Sequence, residues 1–189
     1  SKGVSGTNLR TVGGTSLVAR AIEQALAVRG VDRVILSTDD QSIAEAGRAA
    51  GAEVPWLRPD HLASDTAREW DAWQHLVAWL DARGETPDRL LVVPCTAPLR
   101  SVADLERCVA ASAEPATDVV ITVTSSNRNP WFNMVTLDAS GAARLVMEPE
   151  HRIHRRQDAP EVFDVGTVAF VADPAYVRRA TSIYDGTVR

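Results

Sequence analysis

Apolar side chains recur at Leu17, Val18, Ala21, Ile22, Ala25 and Leu26, the stripe of a helix that buries one face. The spacing predicts a helix over residues 16–28, with Thr15 or Ser16 able to cap its start and Gly30 its end. Arg33-Val34-Ile35-Leu36-Ser37 is a short apolar run and reads as a buried strand. Asp39-Asp40 can cap a helix over residues 41–50, closed by Gly51, and Glu53-Val54-Pro55 reads as a strand leading into the loop WLRPDHLASD. The longest helical pattern covers residues 66–82. Thr66 and Glu69 have capping-box spacing, and Trp70, Trp73, Leu76, Val77 and Leu80 form the buried stripe. Trp79 falls off that stripe, where a partner surface would use it. Residues 89–93 and 119–124 read as strands. Between them lies a helix over residues 101–113 with Ser101 and Asp104 as cap signals.

Strand and helix alternate up to residue 125, which predicts an α/β fold with a mainly parallel sheet covered by helices on both faces. The rhythm then changes. FNMVTLDASGAARLVM reads as two strands around a turn at residues 138–141. EVFDVGTVAFVAD reads as a returning strand and PAYVRRA as a short helix. The expectation is a single domain over residues 1–189 with a hairpin insertion near residues 128–160. In such sheets ligands bind outside the carboxyl ends of the strands. That rule singles out residues 38–40, 94–100 and 124–129, and residues 1–8 if a strand precedes them.

Composition narrows the choice of ligand. The net charge of -5 argues against a nucleic-acid groove, which needs a basic face. A small anion needs only a few local cations. The two cysteines, Cys95 and Cys108, give neither a disulfide framework nor zinc spacing. With no apolar run near about 20 residues and no signal-peptide pattern, the expectation is a cytoplasmic protein that binds no membrane. The single lysine among 20 basic residues is Lys2, in the glycine-punctuated stretch SKGVSGTN. Glycines let main-chain N–H groups approach phosphate, and an ammonium adds point charge. A solvated terminus is the alternative.

Other candidates carry alternatives too. Arg58 fits recognition of a base or phosphate, or an ion pair with Asp60 or Asp65. Asp65 also fits a helix cap. HRIHRRQ places Arg152, Arg155 and Arg156 beside His151 and His154. It fits a cradle for a carboxylate or a solvated charge run, and it lacks a third ligand for a metal. Cys95 in a strand-end loop reads as an inert thiol because no base is placed by sequence to activate it. His75 reads as packing or surface, and Trp131 as a ligand-stacking ring or a packing contact.

Several of these segments together resemble the acylneuraminate cytidylyltransferases, or CMP-nonulosonate synthetases. SKGVSGTN resembles the second half of the family's ARxxSKGxxxKN loop. STDDQSIAEAGRAAGAEV followed by LRPDHLASDTA resembles its next two blocks. VPCTAPLR stands where the family has a PTSPLR-like loop, and RRQDAPEVFDVGTVAFVADPAYV resembles its arginine–glutamine stretch and following strand. The resemblance runs in order through almost the whole chain. It implies a Rossmann-like nucleotidyltransferase fold of the nucleotide-diphospho-sugar transferase type, a three-layer sandwich whose hairpin is a dimerisation arm. The implied reaction joins CTP to an acidic keto-deoxy sugar, giving a CMP-sugar and pyrophosphate with Mg2+. The implied nucleotide-binding residues are Ser1, Lys2, Gly3, Asn8, Arg58 and Asp65, with Lys2 catalytic. Thr96, Arg156 and Gln157 are the implied sugar-acid residues. The partners implied are CTP, the sugar acid and a second copy in a homodimer. The family's first strand and its Asp-x-Asp metal segment are expected outside residues 1–189.

Four positions depart from the family pattern. Thr7 replaces a second loop lysine, Pro94 a glutamine, Glu69 a serine and Gly166-Thr167 an Asn-Gly pair. They cluster on phosphate and sugar recognition. They point away from N-acetylneuraminic acid and toward a related nonulosonic acid, legionaminic-like or deaminated. The alternatives are a cytidylyltransferase for another acid (an eight-carbon keto-deoxy sugar or a phosphonate) and a non-catalytic dimeric module that binds nucleotide sugars.

Overall fold

The computed structural model describes residues 6–64, 66–149, 151 and 153–189. The chain divides into two compact units. One comprises residues 1–122 and 167–189, the other residues 123–166.

A single 3-10 turn, Thr7–Leu9, precedes a two-residue hairpin of β1 (Thr11–Val12) and β2 (Thr15–Ser16). Helix α1 (Leu17–Leu26) starts where Ser16 accepts the Ala19 N–H at 3.3 Å, as a cap should. Helix α2 (Gln41–Ala49) is capped by Asp40, whose Oδ1 accepts from Ser42 and Ile43 at 2.7 and 3.0 Å. Its Gly47 is needed for close approach, since a Cβ there would lie 2.2 Å from Leu36 Cδ2.

Helix α3 (Glu69–Asp81) starts three residues later than the Thr66–Glu69 spacing predicts. Arg68 occupies the N-cap without a side-chain cap bond, and its guanidinium instead pairs with Asp71 and the Thr181 carbonyl. Then come β3 (Leu90–Val92), α4 (Val102–Ala111), β4 (Val119–Ser125), β5 (Val135–Leu137), β6 (Ala143–Leu145), β7 (Phe163–Ala172) and α5 (Pro174–Arg179). A reciprocal Ser101–Asp104 capping box starts α4, and Asp173 caps α5.

The main sheet has the order β3-β7-β4. β3 and β7 run antiparallel, with Leu91 opposite Val171. Side chains alternate across β7, so its two faces build two cores. Phe170 and Ala172 join Trp70, Trp73 and Val77 of α3 and Tyr176 and Val177 of α5. Ala169 and Val171 join Leu105 and Cys108 of α4. The sheet therefore carries helices on both faces, as the three-layer expectation requires. Aromatic rings fill the first core, with Trp73 and Phe170 centroids 5.6 Å apart and Trp70 and Tyr176 centroids 5.7 Å apart.

Parallel pairing is less extensive than the alternation predicts. Among the described residues outside the named strands it appears as two isolated bridges, Ile35 with Glu53 and Val119 with Val188. Residues 33–37 make one such bridge where a full strand was expected, because only one of their edges meets a partner. In the smaller unit, β5 and β6 form the expected antiparallel hairpin. Gly141 turns it at φ +84°, and Asp138 Oδ1 accepts from Ser140 and Ala142. None of the described helices is long and apolar enough to cross a membrane.

Candidate functional site

Two loops of the larger unit leave the ends of strand segments, where an open α/β sheet places its ligands. The first is Ser37-Thr38-Asp39-Asp40. Buried Thr38 accepts the Asp40 N–H on Oγ1 at 3.2 Å, and its carbonyl accepts the Arg58 N–H at 2.7 Å. The Arg58 guanidinium donates Nε to Ser37 Oγ at 3.0 Å and Nη2 to the Ser37 carbonyl. Among the described residues Arg58 forms no ion pair. These bonds tie the 56–58 loop to the strand end and use part of its donor fork.

The second loop follows β3 and spans residues 94–100. Arg100 is 6% exposed and holds the loop from inside. Nη2 donates to the Pro94 carbonyl at 2.5 Å, Nη1 to the Val168 carbonyl at 2.6 Å and Nε to Gln24 Oε1 at 3.1 Å. Gln24 Nε2 returns a bond to the Arg100 carbonyl at 2.6 Å. One guanidinium so links the loop, β7 and α1 through neutral acceptors, and burial lowers its pKa. The same loop presents Thr96, whose hydroxyl lies 3.2 Å from that of Thr167 on β7. Both threonines are exposed. Burial pushes the Cys95 thiol up, only partly offset by Arg100, so it stays protonated and inert.

Beside the first loop, Trp56 packs between His75 and Trp79, at centroid distances of 5.2 and 4.7 Å. Arg83 lies over Trp79 at 4.8 Å. Trp79, read from sequence as off the helix stripe, therefore packs within its own chain. His75 is held below the usual histidine range by burial first, then by the charges of His61 and Arg58.

In the smaller unit Arg155 pairs with Asp158 through two bonds, at 3.0 and 2.9 Å. Arg156 donates to the Ser126 carbonyl at 2.9 Å and is exposed, as is Gln157. Asn8 is half-buried in the Thr7–Leu9 turn. Ser1, Lys2, Gly3 and Asp65 lie outside the described residues. Sequence reasoning marked the 94–100 loop and Thr167 but missed that Arg100 and Gln24 brace that loop from inside. An arginine between Leu99 and Ser101 carries no local signal that it will be buried.

Among the described residues no three His, Cys, Asp or Glu side chains converge on a point that could hold a metal ion. Asp40 spends Oδ1 on its helix cap. The described residues thus do not make a metal site by themselves.

A strand-end site with polar hydroxyls, arginines and, among the described residues, no activated nucleophile suits transfer between bound substrates better than covalent catalysis. The cytidylyltransferase family model matches residues 1–160. The chain belongs to that family and is a nucleotidyltransferase. It is 26% identical over 97% of its length to post-translational flagellin modification protein B of Campylobacter coli, covering 77% of that protein. It is 27% identical to CMP-N,N'-diacetyllegionaminic acid synthase of Campylobacter jejuni, with the same coverage of each. A structure of CMP:2-keto-3-deoxy-manno-octonic acid synthetase complexed with CTP shares the fold. Its TM-score is 0.65 at 18% identity, covering 95% of this chain and 74% of that one.

Proposed function

We propose that the protein transfers CMP from CTP to the anomeric hydroxyl of a nonulosonic acid of the legionaminic type. The observation that carries this reading is the family match over residues 1–160, joined by the relative named a CMP-N,N'-diacetyllegionaminic acid synthase. The departures at Thr7, Glu69, Pro94 and Gly166-Thr167 favour such an acid over N-acetylneuraminic acid.

In the reaction the anomeric oxygen forms a bond to the α-phosphorus of CTP. The bond from that phosphorus to the bridging oxygen breaks, and pyrophosphate leaves with the electron pair. The hydroxyl proton passes to solvent or a nearby base. Lys2 supplies fixed positive charge to the phosphates, and Ser1, Gly3, Asn8, Arg58 and Asp65 hold the nucleotide. Thr96, Arg156 and Gln157 meet the sugar acid, because a guanidinium matches a carboxylate. Mg2+ belongs to this reading as counter-ion of the triphosphate, a role that needs few protein ligands.

The smaller unit contains the hairpin insertion, near residues 128–160, that is read as the dimerisation arm of a homodimer. It exposes Met134, Val135, Leu137, Val146, Met147, Phe163 and Val165, with Leu137 68% exposed. The cytoplasm is the expected compartment, where CTP is available.

The test is pyrophosphate release with CTP, Mg2+ and a panel of keto-deoxy acids, with ATP, GTP and UTP as controls. Release with CTP and a nine-carbon acid is expected. Release only with the eight-carbon acid would support a second reading, favoured by the fold shared with the octonic acid synthetase. CTP binding without release for every acid would overturn the transferase reading in favour of a binding module.

A further inference from the structure

Two ring nitrogens lie buried without a hydrogen-bond partner among the described residues, Nε1 of Trp56 and Nδ1 of His75. The two rings touch. They meet edge to face with centroids 5.2 Å apart, and Trp56 also packs on Trp79 at 4.7 Å. A leucine or phenylalanine at position 75 would fill this space without taking a ring nitrogen out of water. Filling space alone therefore does not account for an imidazole here.

The segment that rests on His75 carries Arg58. Trp56 stands two residues before Arg58, and the segment is fastened at both points. At one, Arg58 N donates to the Thr38 carbonyl at 2.7 Å and Nε donates to Ser37 Oγ at 3.0 Å. At the other, Trp56 sits against the rings of His75 and Trp79. Arg58 spends Nε and Nη2 on Ser37, and among the described residues Nη1 is left for a ligand. Where that nitrogen points follows from how Trp56 is seated.

The charges around the imidazole favour its neutral form. Arg58 faces it from the 56–58 segment and His61 from the 60–62 turn. Asp60 of that turn is exposed. On α3, Asp71 lies one turn before His75 and is taken by Arg68. Arg33 and Arg83 lie over Trp79 at 5.9 and 4.8 Å and hold Glu53 and Glu85. Among the described residues no carboxylate pairs with His75. A proton there places a buried positive charge against Arg58 with nothing to offset it. Burial first, then the charges of His61 and Arg58, hold His75 below the usual histidine range.

We propose that His75 is a positioning residue for Arg58: neutral, it seats Trp56 and fixes the 56–58 segment for nucleotide binding, and protonated, it unseats that segment. The inference deepens the reading of Arg58 as a nucleotide-binding residue and rests on it. The seated imidazole takes a proton less readily than a free one. Seating is thus at full strength well above pH 6.5, the ordinary histidine value, and weakens as the pH falls below it.

CTP binding with Mg2+, measured by calorimetry from about pH 8 to about pH 5 without sugar acid, tests this. On acidification wild type should lose about fivefold to tenfold more CTP affinity than His75→Gln. The titration of CTP itself is common to both proteins and cancels. His75→Phe keeps a ring against Trp56 and has no proton to gain. It should match the glutamine variant, and it replaces that variant if glutamine is not tolerated. His61→Gln should keep most of the wild-type loss. In wild type, and not in His75→Phe, tryptophan fluorescence should fall with a midpoint below pH 6.5, because an imidazolium quenches a neighbouring indole. Parallel affinity profiles in wild type and the His75 variants would overturn the inference and leave the nucleotide reading intact. A loss that disappears in His61→Gln would overturn it as well. So would a fluorescence step without loss of affinity, since His75 would then titrate without moving Arg58. No CTP binding at any pH would overturn the reading of Arg58 and this inference together.

Discussion

Arg100 Nη1 donates to the Val168 carbonyl at 2.6 Å, fastening the 94–100 loop to the middle strand of the sheet. The guanidinium serves three acceptors in three directions, a geometry that an ammonium on a flexible stem does not reproduce. Replacing it leaves the Pro94 and Val168 carbonyls without a donor. Arg100→Met is expected to cost about 1–3 kcal/mol in all, since the two carbonyls left unpaired are half-buried. Thermal melting checks this, and Arg100→Lys should recover only part of the loss. An unchanged Tm for the methionine variant would show that water satisfies both carbonyls.

Asp81 and Arg178 join α3 to α5 through two bonds of 2.6 Å each. The guanidinium, with help from Thr86, holds the Asp81 carboxyl down at about 2, against an ordinary 3.8. A depressed carboxylate stabilises the folded state above its unfolded pKa and loses that contribution as pH falls through the folded value. Wild type should therefore melt above Asp81→Asn at pH 6, with the gap closing between about pH 4 and about pH 2. A gap that persists at pH 2 would show that the pair acts through packing and not charge.

Lys2→Ala should slow pyrophosphate release by about 10²-fold or more, the scale of losing a group that stabilises transferred charge. Unchanged turnover would remove Lys2 from the mechanism. Arg156→Ala should raise KM for the sugar acid and leave KM for CTP in place. The opposite pattern would reassign that stretch to the nucleotide.

Cys95→Ser should keep turnover within about twofold, because burial keeps the thiol protonated and a protonated thiol is a poor nucleophile. Loss of activity together with rapid alkylation of wild-type Cys95 at pH 7 would contradict the inert assignment.

Trp73 touches Phe170 from the first core and is 5% exposed. Trp73→Ala should cost about 3–5 kcal/mol, the range for truncating a buried aromatic. Urea unfolding measures it.

Local rules were enough wherever a structure is decided within one turn of chain. Asp40 and Ser101 cap their helices through bonds to residues two or three positions away, and Asp138 to Gly141 closes a hairpin in the same way. Their reach is short, so the sequence pattern contains both partners. At Thr66 and Glu69 the same local rule pointed to an earlier helix start. Arg68 finds Thr181, 113 residues away, and α3 starts at Glu69. Arg58 reaches Ser37, 21 residues away, a partner that local spacing does not name.

The sequence by itself determined the helix stripes, the caps at Ser16, Asp40 and Ser101, the hairpin and the family. These depend on periodicity and on short-range donors and acceptors. Only the tertiary structure decided where the long side chains spend their hydrogen bonds. It buried Arg100 among carbonyls 6 and 68 residues away and packed Trp79 against Trp56. The physical reason is the same throughout. A buried polar group or strand edge must find a partner in space, and the sequence pattern does not say which segment will be there.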